Sequence, residues 1–69
     1  MSLAGELGEV LRQARGERST RDVARAMGVA PEVLGRVERG EVNPTLARVE
    51  RLAAAYRVEL ALVPVEPCD

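Results

Sequence analysis

Ten arginines, with no lysine and no histidine, carry all the side-chain positive charge of this 69-residue chain. Arginine presents a planar fork of N–H donors that matches a phosphate or the edge of a base. Arg36 stands out, because Glu32 lies one helical turn before it and Gly35 beside it. If this stretch is helical, Pro31, Glu32, Gly35 and Arg36 share one side and Val33, Leu34 and Val37 the other. An outward Arg36 can bond guanine O6 and N7 together, and an outward Glu32 can accept from cytosine N4 while repelling phosphate. Pro31 and Gly35 add no side-chain hydrogen bonds, but Gly35 permits close approach to DNA.

The residues for other chemistries are missing. There is no His, the commonest general base and metal ligand, so neither catalysis nor a metal site is expected. No Trp or Phe is present and Tyr56 is the only aromatic, so platforms for stacking single-stranded nucleic acid are absent too. No glycine-rich phosphate loop follows a strand, and no cofactor is expected. Cys68, the single cysteine, cannot form an internal disulfide; it fits a reducing, cytoplasmic setting and reads as inert. No apolar run is long enough for a membrane span. Glu6 and Glu9 stand where a signal peptide would need basic residues.

The elements that must hold these side chains are short helices. Leu7, Val10, Leu11 and Ala14 fall on one stripe of a first helix over 3–15, with Gly16 as its stop. Ser19 is a good N-cap for a second helix, strengthened by Asp22, whose buried face is Val23, Ala24 and Met27. Gly28 closes it where a left-handed residue is needed. Pro31 opens a third helix, running to about Arg39, at the position proline favours, although Ala30 is a poor cap. Gly40 ends it. Asn43-Pro44 marks a turn and Thr45 caps a fourth helix to about Tyr56, with Leu46, Val49, Leu52, Ala53 and Tyr56 inward. Tyr56 is read as core packing.

Two short helices around Gly28 make the helix-turn-helix plan, whose second helix enters the DNA major groove. Ser19-Thr20-Arg21-Asp22-Val23-Ala24, Gly28-Val29, Arg36-Val37-Glu38-Arg39-Gly40 and Asn43-Pro44-Thr45-Leu46 together resemble the lambda-repressor-like, or Xre, helix-turn-helix family. Leu11 to Arg15 resembles the end of that family's first helix, and Leu52 to Val58 its closing helix. The resemblance implies an all-α, four-helix DNA-binding domain over 1–57. It also implies a phosphate or base-edge contact at Thr20 and DNA-backbone contacts at Arg39, Asn43 and Thr45, which position rather than specify; Arg21, at the start of the second helix, could add a phosphate contact. It implies a structural pair between Glu38 and an arginine of the first helix, Arg15 or Arg12. The sequence departs from the family in a shorter loop from Arg15 to Ser19, and in a third-helix face with fewer polar readers.

Residues 58–65, Val-Glu-Leu-Ala-Leu-Val-Pro-Val, change character and read as a short β-strand ended by Pro64 or Pro67. A lone strand needs a partner. The simplest is the same strand of a second copy, so residues 58–69 read as a dimerisation element with Val58, Leu60, Leu62 and Val63 at the interface. Some Xre-class antitoxins resemble this tail, which adds a toxin as a second expected partner. The net charge of -1 runs against a basic footprint. Residues 1–40, with seven arginines against six acids, are more basic than the rest. Three readings follow: a homodimeric repressor on a palindromic operator, an antitoxin that binds DNA and a toxin, and a helix-turn-helix scaffold used only for protein contacts.

Overall fold

The computed structural model describes residues 2–64. Four helices follow in order: α1 (Leu3–Arg15), α2 (Thr20–Met27), α3 (Pro31–Glu38) and α4 (Leu46–Tyr56). Each start has a local cause. The Ser2 hydroxyl accepts from Gly5 N–H, Ser19 from Asp22 N–H and Thr45 from Arg48 N–H, at 3.0, 3.1 and 3.2 Å. α3 has no side-chain cap and begins on Pro31, which needs no N–H partner. α2 stops at Gly28, whose φ of 73° and ψ of 32° are left-handed. α3 ends in the same way: Gly40 takes φ 72° and the Glu41 N–H reaches back to the Arg36 carbonyl at 3.0 Å. α4 closes on Arg57 at φ 61°, and the Val58 N–H bonds the Ala53 carbonyl at 2.8 Å.

The core is built from all four helices: Leu11, Val23, Ala24, Met27, Leu34, Val37, Leu52 and Tyr56. Two expected stripes are corrected. In α1 the inward line is Leu7, Gly8, Leu11 and Arg15, whereas Val10 is 48% exposed and Ala14 is also exposed. The cause is Gly8. A Cβ there would stand 2.5 Å from the carbonyl oxygens of both Val37 and Glu38, so α1 packs its bare backbone against the end of α3. That contact turns Val10 and Ala14 away. In α4, Leu46 is 73% exposed rather than inward. It lies at the margin of the stripe through Leu52 and Tyr56, in the helix's first turn.

The expected terminal strand is not formed in the single chain: among the described residues, Val58 to Pro64 adopts no strand. A strand with no neighbour has no partners for its backbone N–H and C=O groups. Val58 is half-buried against the core, while Leu60, Leu62 and Val63 are exposed. Val65, Pro67 and Cys68 lie outside the described residues. No described helix is long and apolar enough to cross a membrane.

Candidate nucleic-acid interface

A charge cluster fixes α3 in place. The Arg15 guanidinium donates from Nε and Nη2 to the two carboxylate oxygens of Glu38, at 2.9 and 3.0 Å. Glu38 is therefore gripped bidentately by α1, and its partner is Arg15 rather than Arg12. The Tyr56 hydroxyl, from α4, donates to the same carboxylate at 2.7 Å. Arg15 Nη1 also donates to the Arg18 carbonyl at 2.7 Å, and Arg18 in turn donates to the carbonyls of Ala55 and Tyr56 at 3.1 and 3.2 Å. The short α1–α2 loop is thus part of the cluster, and Arg18 closes the C-terminus of α4. Arg51 does the same for α2, through the Met27 carbonyl at 2.9 Å.

The energetics follow from burial. The Glu38 side chain is 6% exposed and that of Arg15 21%. Burial pushes the Glu38 carboxyl up, but hydrogen bonds from Arg15 and Tyr56, with the Arg15 charge, more than offset this and hold it below the usual carboxylate range. The Glu38 hydrogen bond raises Arg15 in return. Tyr56 is raised by burial and by its bond to Glu38, so its hydroxyl stays a donor. A depressed carboxyl contributes stability above its unfolded value, and that stability is lost as pH falls through the folded value. The melting temperature should therefore drop below about pH 4.5, the ordinary value for a glutamate. A Glu38→Gln variant, melted across the same pH range, should fall less steeply. Equal slopes for the two proteins would remove Glu38 from the account.

With α3 held from behind, its other side is free. Glu32 and Arg36 are exposed, and Pro31 and Gly35 half-buried, on the face opposite Leu34 and Val37. Arg39, the residue after α3, falls on that same outward face at about 100° per residue. It is paired with Glu41 through Nε. At the start of α2, Thr20 is half-buried and Arg21 exposed. Ser19 occupies the Asp22 N–H, and among the described residues the N–H groups of Thr20 and Arg21 have no acceptor. In the loop after α3, Asn43 and Thr45 are exposed, the Thr45 oxygen serving as the cap of α4.

Sequence reasoning did not single out Gly8, Arg18, Arg51 or Glu41. The first reads as a weak position in a helix and the arginines as solvated surface. No cluster that could hold a metal ion occurs among the described residues.

Two short helices, a left-handed glycine between them, and a second helix buttressed from behind with an open polar face define a helix-turn-helix unit. The chain belongs to the helix-turn-helix domain family, whose model matches residues 6–65. No curated protein matches it.

Proposed function

We propose that this chain is a sequence-specific DNA-binding transcriptional regulator of the lambda-repressor-like type, a repressor that acts by occupying a palindromic operator as a homodimer. The observation that carries this is the outward face of α3. It projects Glu32 and Arg36 into solvent from a helix locked by the Arg15–Glu38–Tyr56 cluster. An arginine so placed can bond guanine bidentately in the major groove. The first turn of α2, with its free N–H groups, Thr20 and Arg21, offers a phosphate seat, and Arg39, Asn43 and Thr45 flank α3 on its C-terminal side. Two copies would set their α3 helices in successive major grooves about 34 Å apart.

Arg36→Ala should cost about 1–3 kcal/mol of specific binding and relax preference at one base pair. Unchanged affinity for the preferred duplex, measured by fluorescence titration, would exclude Arg36 as a reader.

The tail supports the dimer. Leu62 and Val63 are 97% and 76% exposed in the single chain, which suits pairing with the same segment of a second copy. Val58, packed on its own core, would anchor the start of that segment. Truncation after Arg57 should convert a dimer into a monomer in sedimentation; a truncated chain that still sediments as a dimer would remove the tail from the interface. The same exposed apolar residues favour a second reading, an antitoxin whose tail binds a toxin. That reading predicts a stable complex with the product of a neighbouring gene.

A further inference from the structure

The outward face of α3 is short of hydrogen-bonding side chains, and Gly35 lies in its middle. A Cβ placed on Gly35 would stand 3.2 Å from Arg39 Nη1 and 3.9 Å from its Cζ. The Arg39 side chain therefore lies back along the helix, over the space that a side chain at 35 would claim. This is the direction helical side chains prefer, toward the N-terminus. A second guanidinium is thereby laid on the face that already carries Glu32 and Arg36.

Its orientation has a cause. Arg39 Nε donates to Glu41 Oε2. Glu41 is itself fixed through its backbone, which bonds the Arg36 carbonyl at 3.0 Å across the left-handed Gly40. The hydrogen bond from Arg39 holds the Glu41 carboxyl below the usual range, and the charges of Arg39 and Arg36 add to it. Among the described residues Arg39 Nη1 and Nη2 have no hydrogen-bond partner. The two side chains are 60% and 51% exposed, and an ion pair so open to water adds little to stability. In the structure the pair accompanies a guanidinium turned back over Gly35.

We infer that Arg39 is a second base-reading residue, aimed by Glu41 across Gly35 at a guanine edge in the major groove. The inference rests on the DNA reading above. The Nη1–Nη2 edge offers two parallel donors, the match for guanine O6 and N7. A side chain already turned this way meets a somewhat smaller ordering cost on binding than a free arginine does. A phosphate contact positions without reading, so its loss is felt alike on every duplex, whereas the loss of a base reader is felt at one base pair. Gly35 then has a function: it clears the path for Arg39.

The test is selection from a randomised duplex DNA pool by the full chain, then titration of the winning duplex and its single-base variants at fixed salt. Arg39→Ala should flatten the preference at one base pair by about tenfold or more, at a position different from the one that Arg36→Ala flattens. Glu41→Ala removes a negative charge from the face, so overall affinity should hold or rise while the same base pair loses its preference. Gly35→Ala should act at that base pair too, through the displaced guanidinium, with a melting temperature equal to or above that of the parent. A uniform loss across all duplexes with Arg39→Ala would make Arg39 a phosphate contact and overturn the inference. Full retention of preference by Glu41→Ala would overturn the tether. If the parent chain enriches no sequence at all, the DNA reading fails first and the inference falls with it.

Discussion

Gly8→Ala is expected to destabilise the fold by about 3 kcal/mol, read from a lower urea midpoint at unchanged slope, although alanine is the better helix former. In an exposed helix interior the exchange would gain about 1 kcal/mol. Here the new Cβ would lie 2.5 Å from the carbonyl oxygens of Val37 and Glu38 and 2.8 Å from the Glu38 carbonyl carbon. All three are backbone atoms at the end of α3, so no side chain can swing away. Either α1 backs off, opening the packing of Leu7 and Leu11, or the end of α3 shifts and carries Glu38 from Arg15. Overpacking of this kind typically costs about 1–3 kcal/mol, and rigid neighbours place it at the upper end. A Gly8→Ala protein as stable as its parent would mean that α1 does not sit against the end of α3.

Glu38→Ala carries the second large effect. It strips the acceptor from Arg15 Nε and Nη2 and from the Tyr56 hydroxyl in one step. Tyr56 is fully buried, so its hydroxyl is left without a partner and without water. Removing one member of a buried charge pair costs about 3–5 kcal/mol; Arg15, being partly open, sheds part of that cost to solvent, so about 3 kcal/mol is expected. Tyr56→Phe keeps the ion pair and should cost about 1 kcal/mol. The double variant should lose less than the two singles combined, because both act on one carboxylate. Strict additivity in urea titrations would show that Tyr56 and Glu38 are not coupled. Both variants also test the link from fold to site, since this cluster sets α3 at a fixed angle from its rear face.

How much of this was legible follows from the range of the interactions. The caps are local, so Ser19, Thr45, Pro31 and the left-handed Gly28 could be read from their neighbours alone. α2, α3 and α4 follow from them, and α1 from its apolar residues and the stop at Gly16. The Arg15–Glu38 pair spans α1 and α3, and the family resemblance left Arg12 open beside Arg15; in the structure Arg15 takes it, with the Arg18 carbonyl of the short α1–α2 loop also on Arg15. Gly8 was illegible because a glycine in a helical pattern looks like a small defect, and its value depends on the end of α3. Leu46 misled for the converse reason: an apolar residue at the margin of a stripe need not meet a neighbour in the first turn. The tail has a strand's pattern but no neighbour in the single chain. In the candidate site, the outward set of Glu32, Gly35 and Arg36 came from phase alone. The lie of Arg39 over Gly35 needed coordinates, since it depends on where Gly40 turns the chain and so places Glu41.

An open face of α3 that reads DNA must distinguish one duplex from another. The direct measurement is a fluorescence titration of the full chain against a labelled duplex from the region upstream of its own gene and a scrambled duplex of equal composition, at physiological salt. The upstream duplex should bind more tightly than the scrambled one by about 10³-fold or more. Equal and weak binding to both would contradict it, and would leave a helix-turn-helix scaffold whose exposed face serves a protein partner.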